Sequence, residues 1–126
     1  MTVPSGIMAS QSFEDLRVWQ KSVDLNIAVY KIFSKINEQW VTHQILRSSL
    51  SVPSNIAEGY NRETNKEFIR YLYIARGSCA EVQTQLFIAS RLGLINKVVS
   101  DELLESSKSI ILMLSKLISV RKTQFK

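Results

Sequence analysis

Residues 64–93 read TNKEFIRYLYIARGSCAEVQTQLFIASRLG, and this stretch predicts the longest helix of the chain. Thr64 and Glu67 have the spacing of a capping box, in which two side chains satisfy free backbone N–H groups at a helix start. Gly93 is the residue type that most often ends a helix. Between them, apolar residues recur at helical spacing and predict one core-facing side, formed by Phe68, Leu72, Ala75, Cys79, Val82 and Leu86.

Three more helices are predicted on either side of this stretch. The first covers about 13–37, the second about 39–59, and the fourth starts at Ser100 and frays near Val120. Pro53 cannot donate a backbone hydrogen bond, so we expect a kink or break near residues 50–51. Long helices with short connections are typical of an all-α, antiparallel up-and-down four-helix bundle.

The length and composition indicate one folded domain. The chain has 126 residues, of which 45% are hydrophobic and 21% are charged, values within the range of a single globular domain. We expect residues 1–11 to be a flexible leader, 12–120 the bundle domain, and 121–126 a basic C-terminal tail. The sequence contains neither a secretory signal nor a run of apolar residues that would span a membrane, which favours a cytoplasmic protein with no membrane partner.

The residues that catalysis or metal binding would need are scarce, so we expect a non-enzymatic protein with no cofactor and no metal. One cysteine and one histidine exclude a disulfide within the chain and zinc sites built from several Cys and His residues. His43 has no Glu-x-x-His partner of the kind a di-iron bundle uses. Cys79 lies on the predicted core side, where it acts as a small apolar residue.

Apolar residues on a second side of three helices predict contacts between copies. A helix on the surface of a lone bundle needs one apolar side, and additional apolar surface indicates an interface. We therefore expect a homo-oligomer. The predicted interface residues are Val18, Leu25, Val29, Ile32, Leu46, Leu50, Ile69, Tyr73, Ala80 and Phe87.

The formal charge of +5 comes from 16 basic and 11 acidic residues, and the excess lies after residue 60. Basic side chains attract polyanions, and exposed aromatic rings such as Tyr73 and Phe87 stack on nucleic-acid bases. The alternative is that the charges only maintain solubility and compensate helix dipoles. Under the first interpretation, the phosphate contacts are Arg62, Lys66, Arg76, Arg91, Lys116, Arg121 and Lys122.

Five segments together resemble a known family. They are FEDLRVWQ at 13–20, QILR at 44–47, SVPSNIAEG at 51–59, KEFIRYL at 66–72 and IARGSCAE at 74–81. The pattern resembles the four-helix bundle proteins encoded by intervening sequences of 23S ribosomal RNA genes, also called S23-like. These proteins are related to the accessory variability proteins of diversity-generating retroelements.

The resemblance implies a ring-shaped homopentamer that binds RNA or DNA through basic surface. It also implies a role beside a reverse transcriptase or in a process associated with ribosomal RNA. The alternative is a structural or protein-interaction scaffold ring without a nucleic-acid role. Within the matched segments, we expect Arg47, Asn55 and Glu58 to form a buried polar network near the turn into the third helix.

Overall fold

The protein is described by a computed structural model that covers residues 12–124. Within this range all regular structure is helical and no strand occurs, so the predicted all-α class with four long helices is confirmed. The predicted leader and the last two residues of the predicted tail lie outside the described range. After a short 3-10 turn at Phe13–Asp15, the helices are α1 (Arg17–Phe33), α2 (Gln39–Tyr60), α3 (Asn65–Arg91) and α4 (Lys97–Gln124).

The Thr64 cap and the Gly93 helix end are confirmed, whereas the Glu67 carboxylate accepts hydrogen bonds from Arg70 at 3.3 Å and not from the Thr64 N–H, as a complete capping box requires. The Thr64 hydroxyl accepts a hydrogen bond from the Glu67 N–H at 3.2 Å, which caps the first turn. Gly93 adopts a φ of +74°, a left-handed conformation that favours glycine. The chain then folds back, so that the N–H of Leu94 donates to the carbonyl of Ala89 at 2.9 Å, as in a Schellman motif.

The first two helices differ from the prediction, and α1 also ends at Phe33, four residues before the expected end at 37. α1 starts four residues later than expected, because Phe13–Asp15 forms a separate 3-10 turn that the Ser12 side chain caps. α2 runs through Pro53 as one continuous helix, so the expected break is absent. Pro53 is buried on the side of α2 towards α1, and this packing offsets the loss of one backbone hydrogen bond.

α4 is longer at both ends than the sequence suggested. Asn96, and not Ser100, caps its start, since the Asn96 Oδ1 accepts a hydrogen bond from the Val99 N–H at 2.8 Å. Ser100 is buried within the first turns. The helix continues to Gln124, so residues 121–124 form its last turn.

The core lies between the four helices, and serines connect the helices through it. The six residues predicted on the core side of α3 are all buried, which confirms that side. Ser51 of α2 and Ser78 of α3 share a hydrogen bond at 2.9 Å. Between α3 and α4, Gln83 bonds Ser107 at 3.0 Å, while Asn65 donates to the carbonyl of Arg121 at 2.9 Å. Contact residues therefore run in opposite order along α3 and α4.

Candidate functional site

Three residues of the predicted oligomer interface are core residues. Val18, Leu25 and Val29 of α1 are only 4%, 2% and 0% exposed. They pack inside a single chain, so their prediction as contacts between copies is wrong. The apolar side of α1 that faces outward is the other one, on which Ile27 and Tyr30 are 46% and 59% exposed.

The remaining predicted interface residues divide into two groups. Half-buried side chains pack against the core of the same chain, and these are Ile32, Leu46 and Ile69. Exposed side chains remain available on α2 and α3, and these are Leu50, Tyr73, Ala80 and Phe87. The exposed group is divided between two sides of the molecule, because Leu50 lies beside α1 whereas the residues from α3 lie on its own outer side.

Two of the predicted phosphate contacts meet around Tyr73, in what we call the Tyr73 cluster (Tyr73, Arg76, Ser115 and Lys122). The Arg76 guanidinium carbon lies 4.9 Å from the centre of the Tyr73 ring, and its Nη1 donates to the Ser115 hydroxyl at 3.0 Å. The Lys122 Nζ donates to the Tyr73 hydroxyl at 2.5 Å. This hydrogen bond lowers the pKa of Tyr73 below its usual value.

The Tyr73 cluster combines two cations with an aromatic ring that is 39% exposed. Among residues 12–124, neither Arg76 nor Lys122 forms an ion pair with a carboxylate. Their charges are therefore not neutralised by neighbouring acids. Such an arrangement suits a ligand that carries an anionic group next to a flat ring, because the cations attract the anion while the ring supplies a stacking surface.

Arg62 and Arg121 are engaged with the protein itself. The Arg62 Nη2 pairs with Glu58 at 2.9 Å and donates to the Tyr71 hydroxyl at 2.6 Å. The Arg121 Nε donates to the Asn65 Oδ1 at 2.8 Å, which joins the end of α4 to the start of α3. Burial lowers the pKa of Arg121, so this side chain has lost part of its hydration to a structural role.

The other three predicted cations are exposed and lie apart from one another. Lys66 and Arg91 are at opposite ends of α3, and a rise of about 1.5 Å per residue separates them by roughly 37 Å. Lys116 lines a groove between α1 and α4, beside Leu16 and Met113. The seven predicted contacts therefore do not form one surface, and the Tyr73 cluster is the place where two of them converge.

Comparison with known proteins fits this helical architecture and these sequence motifs. The profile of the 23S rRNA-intervening sequence protein family matches residues 14–116. The chain belongs to this family. No curated protein matches it significantly. A similar solved structure is the crystal structure of a protein of unknown function from the S23 ribosomal protein family of Bacteroides thetaiotaomicron, which is 27% identical, has a TM-score of 0.75, and matches over 80% of this chain and 97% of that chain.

The segment SVPSNIAEG lies at the contact between α2 and α3, but the polar network expected there is not formed. The Asn55 amide donates to the Ser51 carbonyl at 2.8 Å and to the Ser51 hydroxyl at 2.9 Å. Glu58 pairs with Arg62 at the surface, and Arg47 is exposed. The segment thus joins the helices through Ser51 and Ser78, while the expected cluster of Arg47, Asn55 and Glu58 is wrong.

Chemically reactive groups of this family member are dispersed or shielded. In the described part of the chain, no three His, Cys, Asp or Glu side chains are grouped so as to hold a metal ion. Burial raises the pKa of the Cys79 thiol to about 12, and the thiol donates to the Ser107 carbonyl at 3.5 Å.

Between residues 12 and 124, no helix has the length and apolar character to cross a bilayer.

Proposed function

We propose that the chain is a non-enzymatic, cytoplasmic accessory protein that binds RNA or DNA through basic surface on α3 and α4. In this proposal it assembles as a homo-oligomer, a ring of five copies, and assists a reverse transcriptase or a process associated with ribosomal RNA. It needs no cofactor or metal. Nucleic acid is the polyanion that best matches a surface carrying both cations and exposed aromatic rings.

The observation that supports nucleic-acid binding is the Tyr73 cluster. Arg76 and Lys122 approach one exposed ring from two helices and have no carboxylate partner in the described chain. Phe87 adds a second ring on the outer side of α3 and is 59% exposed. We assign phosphate contact to the two cations and base contact to the rings, which favours single-stranded segments over a closed duplex.

The same proposal includes the finer architecture, an antiparallel up-and-down bundle. Hydrogen bonds between consecutive helices support it. From α1 to α2, Asn26 bonds Ser49 at 2.9 Å and Thr42 donates to the Phe33 carbonyl at 3.2 Å, so the contacts run in opposite order along the two helices. The order along α3 and α4 is opposite in the same way.

Fluorescence anisotropy with a short labelled single-stranded RNA, and with its duplex, tests the proposal. The association constant is measured between about 50 and 200 mM salt. Its logarithm falls linearly with the logarithm of the salt concentration, and each phosphate contact to a single strand contributes about −0.7 to the slope. Replacing Arg76 and Lys122 by Gln removes two contacts. We expect the salt slope to decrease by about 1.4 for each cluster engaged.

A variant with the same net charge separates a site from general charge attraction. Arg47→Gln with Arg70→Gln also removes two cations, but from exposed positions outside the Tyr73 cluster. Equal weakening of RNA binding by both double variants would overturn the assignment of the site. No binding at about 50 mM salt would overturn the nucleic-acid role and leave the scaffold alternative, which is favoured by the internal bonds of Arg62 and Arg121.

A further inference from the structure

The surface between α1 and α4 contains two grooves that follow one another along the helices, and we call them together the α1–α4 seam. The first has a volume of about 310 Å³, and its apolar walls are Leu16, Val18, Met113, Leu117 and Val120. The second has a volume of about 280 Å³ and continues further along α1, where its walls include Leu25, Ala28, Ser106, Ser109 and Ile110.

The α1–α4 seam is the least tightly closed of the four contacts between neighbouring long helices. Side-chain hydrogen bonds join α1 to α2, α2 to α3 and α3 to α4. Within residues 12–124, no hydrogen bond or ion pair joins α1 to α4. A further element can therefore approach this seam without breaking a polar contact of the bundle.

The first groove of the seam has a cation on each side. Arg17 projects from α1 and Lys116 from α4, and both side chains are exposed. In the described part of the chain neither one forms an ion pair, although Glu14 and Asp15 precede α1 closely. These two positive charges are therefore available to a partner, and they lie directly beside apolar surface.

The grooves of other helix pairs do not combine these properties. The groove between α1 and α2 and the groove between α2 and α3 are lined by uncharged residues alone, so neither favours a partner of one charge. The α1–α4 seam has apolar walls with a cation on each side. It therefore favours a partner that is apolar on one side and acidic at the edges of that side.

The dimensions of the seam suit a helix. Met113, Leu117 and Val120 recur at i, i+4 and i+7, so they form one row along two turns of α4. From Leu16 to Ala28 the seam extends for about 18 Å, or about three helical turns. A helix satisfies its own backbone hydrogen bonds, which apolar walls cannot do for an extended segment. Amphipathic helices bind grooves of this kind through anchors at the same spacing.

We infer that the α1–α4 seam binds an acidic amphipathic helix of another protein. The apolar side of that helix lies against Met113, Leu117 and Val120, and its carboxylates pair with Arg17 and Lys116. This inference goes beyond the proposed function, because it requires neither nucleic acid nor assembly of copies. It also assigns Lys116, one of the predicted phosphate contacts, to a protein carboxylate.

A labelled model peptide provides the probe. It has about 15 residues, the length at which an isolated helix becomes marginally stable, with leucine at i, i+3, i+4 and i+7 and glutamate on the other sides. Fluorescence anisotropy measures its binding to the full chain at low and high salt. We expect the acidic peptide to bind, and to bind more weakly at high salt.

Two matched peptides separate the apolar and the electrostatic contributions. A peptide of the same composition in scrambled order has no apolar side. A second peptide keeps the leucines but carries lysine in place of glutamate. We expect each of them to bind at least about tenfold more weakly than the acidic peptide.

Charge variants of the protein locate the binding surface. Arg17→Gln with Lys116→Gln removes both cations beside the seam, and we expect binding of the acidic peptide to weaken about fivefold. Arg47→Gln with Lys66→Gln is the matched control, because it also removes one exposed arginine and one exposed lysine, from α2 and α3. The control should bind the peptide as the unsubstituted chain does. Circular dichroism should show the same helix content for all three proteins.

Several outcomes would overturn the inference. They are no binding of the acidic peptide, equal binding of any matched peptide, and equal weakening by the two double variants. Weaker RNA binding by Arg17→Gln with Lys116→Gln would assign these cations to nucleic acid instead. A changed mass of this variant without peptide, measured by light scattering, would assign the seam to a second copy. Failure of the peptide to bind leaves the nucleic-acid proposal intact, since that proposal is tested at the Tyr73 cluster.

Discussion

Replacing Gly59 by alanine should destabilise the protein, although glycine is normally a poor residue within a helix. Gly59 is buried in the last turn of α2 and was predicted to end that helix. The structure gives it a different role. A Cβ at this position would lie 2.5 Å from the Cβ of Tyr71 and 3.1 Å from the Phe68 Cδ1. The hydrogen side chain of Gly59 is therefore what allows α2 and α3 to approach so closely.

The expected magnitude is the balance of two opposing effects. Alanine in place of glycine stabilises a helix interior by at most about 1 kcal/mol. Overpacking costs about 1–3 kcal/mol. We expect a cost near the upper limit, because the Cβ of Tyr71 is bonded to the α3 backbone and moves only with the helix. The net loss in the free energy of unfolding is then about 2 kcal/mol.

Gly77→Ala is the matched control, since a Cβ at Gly77 would meet nothing within 4 Å. This variant should gain up to about 1 kcal/mol, so the two variants should differ by about 3 kcal/mol. Urea unfolding followed by circular dichroism, at one fixed chain concentration, measures the difference. With a slope of about 2 kcal/mol/M, Gly59→Ala should lower the midpoint by roughly 1 M. Equal stability of the two alanine variants would refute the packing argument.

Three further predictions concern single positions. Gly93→Ala should lower the free energy of unfolding by about 1–2 kcal/mol because of the positive φ at this residue. The cost would come from the backbone alone, because a Cβ at this position meets nothing within 4 Å. An unchanged urea midpoint would contradict this prediction. Thr64→Ala should cost about 1 kcal/mol through loss of the α3 cap, whereas Thr64→Ser should restore most of it in the same assay. Cys79 is buried and its pKa is raised to about 12, so it should react with an aromatic disulfide reagent at pH 8 only after unfolding. Labelling of the folded protein at the rate of a free thiol would show instead that the site opens.

The ends and the core side of α3 could be predicted because they depend on local chemistry. Thr64 can cap a helix wherever its hydroxyl reaches the backbone three residues later, and Gly93 tolerates a positive φ in any surroundings. The core side of α3 was equally clear, because it is the one side of this helix on which apolar residues follow one another without a charged or polar residue between them. Pro53 shows the limit of such local rules. α2 continues through this residue, which is buried towards α1, and sequence spacing contains no information on that packing.

The inward-facing side of α1 could not be identified from periodicity. α1 has two apolar sides, and helical spacing identifies both without indicating which one meets the other helices. One observation in the sequence did distinguish them. Val18, Leu25 and Val29 are aliphatic, whereas the outward side includes Tyr30, whose hydroxyl is easier to leave in water than to bury. The partners of Arg76 and Arg121 were also unpredictable, because only the tertiary fold brings Ser115 and Asn65 near them.

Assembly into the proposed homo-oligomer would link the number of copies to nucleic-acid affinity. If the assembly leaves the surface between α3 and α4 open, each added copy contributes another Tyr73 cluster. A strand that contacts several clusters releases counterions at each of them, so the salt slope grows with the number of copies engaged. Affinity rises more steeply still, because after the first contact the others become intramolecular. In the proposed oligomer, a chain with a formal charge of only +5 would gain through assembly the phosphate contacts that a single copy lacks.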